Sequence, residues 1–258
     1  SQNVKFVLSK RNYNFLNITF SMLNKIIEKY GKDKINSLTK YPSILTLHNL
    51  GEKGRLLDTF TTPIQDEKMY ASEKIDGTNV RIIILDDEYL IGARDTILSY
   101  SEDLFFDPSM GIVDSIEQLK IPIPRTSYLT VIYGELYGGK IGPSKNYGTE
   151  KVGFRVFDIV EFNDEKQLNL YGVPLILDRP IEEISRWREH ESQNGLVYGQ
   201  NFLAHDLIKK KFPFFEFVPQ VEFDCGDYNH ETILENLKKA VPETIVALSD
   251  KALKRAEG

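Results

Sequence analysis

Residues 73–85 constrain this chain more than any other stretch. They read Glu73-Lys74-Ile75-Asp76-Gly77-Thr78-Asn79 and continue without a break into Val80-Arg81-Ile82-Ile83-Ile84-Leu85. A glycine inside a polar heptapeptide predicts a tight turn, where the backbone can approach another group closely. The β-branched run behind it predicts a strand. Together they set a lysine amine at the entry to a strand, as a candidate nucleophile. An unperturbed lysine, with a pKa of about 10.4, is almost wholly protonated at neutral pH. Cationic neighbours or a bound metal would favour loss of its proton.

Composition narrows the class. With 258 residues, 41% of them hydrophobic, the chain can bury a sizeable core, as one large domain or two small ones. Its 15 Phe and 13 Tyr favour a β-rich interior. A formal net charge of -6 excludes a globally basic nucleic-acid coat, so any polyanion contact must be local. Cys225 is the single cysteine, which rules out an intramolecular disulfide and a cysteine-rich zinc site. His48, His190, His205 and His230 lack metal-ligand spacing. The first residues carry no apolar core of a secretory signal, and no run approaches the ~18 apolar residues of a membrane span. The expectation is a soluble monomer of a reducing compartment, cytoplasmic, or in a host cytoplasm if viral, with no membrane partner.

Along the chain, residues 20–30 have helical spacing, ended by Gly31. Residues 43–47 alternate loosely like a strand, and residues 51–55 form a basic loop. Residues 80–85 and 89–93, joined by Asp86-Asp87-Glu88, predict a hairpin. Residues 99–120 read as helix or loop. Strands are expected at 129–136, 153–160, 196–198 and 207–212. Residues 232–241 and 242–254 read as two helices, the second opening with Pro242 at its first turn. The economical architecture is α+β, one compact unit built on antiparallel sheet with helical ends. Its parts are an N-terminal extension (1–66), a core (67–217) and a short C-terminal helical segment (218–258).

Lys209 and Lys211, at alternate positions of the expected strand, would share one face, with Lys210 on the other. Such a pair could grip a triphosphate and steady the charge of a departing pyrophosphate. Lys140, Lys145 and Tyr147, in the loop after Tyr133-Gly134-Glu135-Leu136, could meet a polynucleotide backbone or a terminal phosphate. Trp187 reads as helix packing.

The heptapeptide resembles the first motif of the covalent nucleotidyltransferases, and among them the RNA ligases. Tyr133-Gly134-Glu135-Leu136 is similar to that family's third motif, and Phe157-Asp158 to the next. Gly195-Leu196-Val197 resembles most of the fourth, and Ile208-Lys209-Lys210-Lys211 the fifth. Arg94, twenty residues after the lysine, matches an arginine of RNA ligases of the second type. The resemblance implies an adenylation domain of the ATP-grasp-like ligase type, using ATP with Mg2+ or Mn2+. It implies Lys74 as nucleophile, with Lys209 and Lys211 acting on phosphates. Glu73, Ile75, Asn79, Arg94, Glu135 and Phe157 would bind the nucleotide, with Phe157 stacking on the base. RNA ends, in a nicked duplex or a tRNA break, would be the partners. The motif glutamate that helps hold the metal is replaced by Asn194, which leaves Asn194 and Glu135 as metal-side candidates and Glu191 as a substitute. An amide keeps an oxygen acceptor but loses the charge a divalent cation prefers. Two alternatives stay open: a capping-type guanylyltransferase using GTP, and a catalytically weakened module that binds nucleotide or RNA ends.

Overall fold

Residues 80–85 are buried along their whole length, and a six-stranded antiparallel sheet extends from them on both sides. The computed structural model describes residues 22–61, 68–99, 111–194, 199–224 and 229–256. Helices α1 (Met22–Tyr30) and α2 (Lys32–Thr39) come first, then a hairpin of β1 (His48–Leu50) and β2 (Leu56–Phe60). Strand β3 (Lys68–Ser72) leads through the lysine turn into β4 (Thr78–Asp86), β5 (Glu88–Ala93) and β6 (Ile97–Ser99). Helix α3 (Ile112–Gln118) precedes the long strands β7 (Thr126–Gly138) and β8 (Val152–Glu161). Helix α4 (Ile181–Asn194), strand β9 (Asn201–Phe202), helix α5 (His205–Lys211), strand β10 (Gln220–Asp224) and helix α6 (His230–Ala240) follow. The large sheet runs β6-β5-β4-β7-β8-β9, while β3 and β10 pair separately. The α+β expectation is met, and among the described residues no helix is long and apolar enough to cross a membrane.

Strand alternation divides the core into two layers. Ile83, Leu85, Val131, Tyr133 and Val160 face one way, onto Leu23, Ile26 and Ile27 of α1, Ile35 and Leu38 of α2, and Ile184 of α4. Val80, Ile82, Ile84, Ile132 and Ile159 face the other way, onto Ile112 and Ile116 of α3 and Ile208 of α5. Each such side chain contributes about 1.5–3 kcal/mol by leaving water. The first layer is also fastened by polar contacts. Tyr133 Oη shares its one proton between the carbonyls of Thr39 (3.0 Å) and Lys40 (3.3 Å), and Arg188 Nη2 donates to Lys40 O and Tyr133 Oη, both at 2.9 Å. These carbonyls at the end of α2 would otherwise be left unsatisfied.

Several expectations hold. Helix α1 ends at Gly31, whose φ of 82° suits glycine. The β4–β5 hairpin closes with Leu85 opposite Glu88, and α6 contains residues 232–240 of the expected 232–241. Trp187 stacks on Phe162, with ring centroids 6.2 Å apart. Residues 100–110, Cys225 and the 196–198 strand lie outside the described residues.

Three expectations are corrected. The strand expected at 43–47 lies later, at β1. Residues 207–211 belong to α5, with Phe212 as its C-cap, rather than to a strand, because Ile208 and Phe212, four apart, are both buried. Residues 242–254 do not form a helix. Thr244 and Val246 are buried with an exposed Ile245 between them, the period of an extended segment. Backbone N–H groups there donate across to the 145–147 loop, Leu248 to Tyr147 O (2.7 Å) and Leu253 to Lys145 O (2.9 Å).

Two outcomes test this packing. A Cβ at Gly134 would lie 2.4 Å from the Phe154 ring and 2.7 Å from Arg155 O. Gly134→Ala is therefore expected to cost about 1–3 kcal/mol in urea denaturation. Burial, reinforced by Lys209, lowers the His205 pKa from 6.5 against a smaller opposing pull from Asp206. The unfolded chain then binds a proton more readily than the folded one, so stability falls as pH drops through that range. His205→Gln should flatten this part of the stability–pH curve.

Candidate active site

The lysine turn joins β3 to β4 at one end of the large sheet. Glu73 and Ile75 are buried, at 6% and 5% exposure, and Lys74 between them is exposed. Gly77 brings this turn against β7. A Cβ there would sit 2.3 Å from Leu136 O and 3.0 Å from Tyr137 Cβ, so only glycine permits the approach. Asp76 N–H donates to Tyr147 Oη at 2.8 Å, and Tyr147 is fully buried. Tyr147 is thus an anchor of the turn and no surface for a polynucleotide, whereas Lys140 and Lys145 of the same loop are exposed.

Beside the turn, the register aligns Asn79 of β4, Glu135 of β7 and Arg155 of β8 in one row across the sheet. All three are half-buried, and Glu135 is the one residue between Val131 and Gly138 that is not fully buried. The row behind it, Arg81–Tyr133–Asp158, is covered by α2, α4 and Tyr41. On its other side Tyr137 packs with Ile75, Tyr147, Val218 and Val246. The polar row therefore floors a gap between two apolar clusters, and Phe157 borders both.

The environment of this gap is partly cationic. Arg155 donates Nη1 to Phe217 O (2.9 Å) and Nε to Tyr137 Oη (3.2 Å), and lies 3.5 Å from Glu216. Arg81 donates to the carbonyl and the side-chain oxygen of Asn36, and burial lowers its guanidinium to about 10, still charged at neutral pH. Tyr41 Oη donates to Asp158 Oδ2 at 2.9 Å, and its ring meets Phe157 edge-on at 5.1 Å. Burial raises the Tyr41 phenol, with Asp158 adding to the effect, so Tyr41 stays a neutral donor.

The structure gathers part of the expected set. Ile75, Asn79, Glu135 and Phe157 lie at one end of one face, Lys74 is in the turn that leads into that end, and Arg94 follows β5 there, since Ala93 pairs with Val80. Glu73 has a different partner from the expected nucleoside: its carboxylate accepts from Thr244 Oγ1 and from Ile245 N–H at 3.0 Å. Lys209 and Lys211 are not brought to this gap. Helix α5 packs on the opposite face from Glu135, and Lys211 pairs with Glu161 there. Glu161 is six residues along β8 from Arg155, about 20 Å at the usual strand rise. The side chains of Asn194 and Glu191 and residues 195–198 lie outside the described residues. Tyr41, Arg155, Tyr147 and Thr244 were not singled out for these roles from sequence. Only Arg155, inside the Phe157-Asp158 motif, offered a signal.

The α+β fold thus sets a lysine turn beside an Asn–Glu–Arg row. The RNA ligase family matches residues 67–258, and the chain belongs to that family. Among solved structures it is similar to Naegleria gruberi RNA ligase. One form, a mutant with AMP and Mn, has 13% identity and a TM-score of 0.35, covering 66% of this chain and 40% of that one. Another, with PPi, has 15% identity and a TM-score of 0.34, covering 75% and 52%. The chain thus spans about half or less of the length of these relatives. The search of curated proteins gives no match.

The turn's anchor makes a testable contact. Tyr147→Phe leaves the Asp76 N–H without its acceptor, at an expected cost of about 1–3 kcal/mol. Hydrogen exchange at the Asp76 amide should be faster than in the wild type, while exchange in the β4–β5 hairpin is unchanged.

Proposed function

We propose that this chain is an ATP-dependent RNA ligase that forms a covalent lysyl-AMP on Lys74. The observation that carries the reading is the half-buried Asn79–Glu135–Arg155 row beside an exposed lysine, in a member of the RNA ligase family. The lysine amine, once deprotonated, attacks the α-phosphorus of ATP. An N–P bond forms, the bond to the bridging oxygen breaks, and pyrophosphate leaves with that electron pair. A terminal 5′-phosphate oxygen then attacks the same phosphorus and releases the lysine. A 3′-hydroxyl finally attacks the 5′-phosphate, AMP departs, and a phosphodiester remains.

Each residue of the gap has a task in this scheme. Glu135 accepts hydrogen bonds from the ribose, and Asn79 reaches ribose or phosphate. Phe157, steadied by the edge of Tyr41, stacks on the base. Arg94 meets phosphate oxygens, and Arg155 adds fixed positive charge to the floor. Among the described residues no group of three or more His, Cys, Asp or Glu could cage a metal. The oxygens of Glu135 and Asn79 fit a magnesium-type site, which needs only one or two protein oxygens besides phosphates and water. A bound divalent ion there would screen phosphate charge and orient the leaving group.

A second reading is a module that holds nucleotide or RNA ends without turnover. It is favoured by Asn194 in place of the motif glutamate and by the distance of Lys211 from the gap. Mass spectrometry after incubation with ATP and magnesium or manganese separates the two. An AMP-sized addition mapping to Lys74, lost in Lys74→Ala, is the expected result. An addition from GTP alone would replace ATP by GTP, and no addition under any condition would leave the binding module.

A further inference from the structure

We infer that the C-terminal segment 244–248 positions the nucleophile, with Thr244 as its key positioning residue; the inference rests on Lys74 being the adenylylated lysine.

Residues 73–77 lie between the ends of β3 and β4, so the turn needs support from elsewhere. Both neighbours of Lys74 receive it from this segment. On one side, the buried Glu73 carboxylate takes the Thr244 hydroxyl and the Ile245 N–H. On the other, Ile75 packs with Val246, which is 1% exposed. One residue further, Asp76 N–H is held by Tyr147, whose own carbonyl accepts Leu248 N–H at 2.7 Å. The segment is itself clasped: Thr244 N–H donates to Lys254 O at 3.0 Å, and Lys254 N–H donates to Asn146 O at 3.2 Å.

The polarity of these bonds singles out Thr244. A hydroxyl has one proton to donate. Thr244 gives it to Glu73, while its oxygen accepts from Val246 N–H at 3.3 Å. Both partners are buried, each 6% exposed, so water cannot replace a missing donor cheaply. An amine that must meet phosphorus in line is sensitive to small displacements, and about 1 Å can cost two orders of magnitude in rate.

The test compares Thr244→Val, which keeps the shape and removes the donor, with Thr244→Ser, which keeps the donor. Lys74–AMP formation is followed over a range of ATP concentrations, at a temperature where circular dichroism shows each protein folded. Thr244→Val is expected to lower the limiting rate roughly tenfold or more with little change in KM for ATP, and Thr244→Ser to restore it. A wild-type limiting rate in Thr244→Val, a loss confined to KM, or a serine variant as slow as the valine one would overturn the inference. Should Thr244→Val not fold, Ile245→Pro removes the other donor from an exposed position, and the same two parameters decide. A wild-type protein that forms no adduct sinks the lysyl-AMP reading itself. An adduct formed equally fast by wild type and valine variant sinks only the role of Thr244.

Discussion

The register of β4 against β7 and β8 is the constraint on which the site depends. Because side chains alternate across a strand, a one-residue slip would turn Glu135 toward α3 and α5 and bring Leu136 into the gap. Two features hold the register. The apolar positions of β4 are buried on both faces, by helices above and below, so neither face tolerates exchange with the other. Gly77 and Gly134 add a steric lock, since each meets neighbouring atoms where a methyl would stand. The polar row is affordable only where the helix layer stops short and leaves Glu135 partly solvated.

The irregularity in β8 serves the same place. Between Tyr133 and Gly134 the β7–β8 ladder shifts, with Tyr133 opposite Asp158 and Gly134 opposite Val156. Phe157 is the extra residue, so it and Asp158 both point to the Glu135 side of the sheet. One strand can then supply a ring beside the gap and a carboxylate behind it. Tyr41 joins the two, taking Asp158 by its hydroxyl and Phe157 by its ring edge. Tyr41 precedes the residues matched by the family, so the described N-terminal part contributes directly to the wall of the site.

Sequence legibility followed the range of the interactions. The β4–β5 hairpin, α1, α6 and the lysine turn are local patterns of periodicity and turn chemistry, and these were readable. The Asn79–Glu135 pairing was not readable, because strand register joins residues far apart in the chain; motif resemblance only gave both residues a nucleotide-binding role. Residues 207–212 misled for a physical reason: three consecutive lysines satisfy alternation as well as a helical turn, and only Ile208 and Phe212 carry the distinguishing spacing. Residues 242–254 have helix-forming composition, but their backbone hydrogen bonds go to the 145–147 loop, and tertiary bonding overrides local propensity. No sequence pattern could have linked Thr244 to Glu73.

The placement of α5 moves the source of positive charge. With Lys211 engaged by Glu161 on the far face, three arginines stand at the gap: Arg155 in its floor, and Arg81 and Arg188 behind it. Arg81 is in the row of Tyr133, one side-chain repeat or about 7 Å behind the half-buried row. Among the described residues neither Arg81 nor Arg188 forms an ion pair with a carboxylate, and both are at most 2% exposed. A buried charge is weakly screened by solvent and salt, so its field reaches further than that of a surface lysine. Such a field attracts a polyphosphate, an effect that a net charge of -6 would oppose if spread evenly. An acidic chain can thus present a locally positive gap without a basic surface, because its guanidinium groups are held in place by Asn36, Tyr133 and the carbonyl at the end of α2.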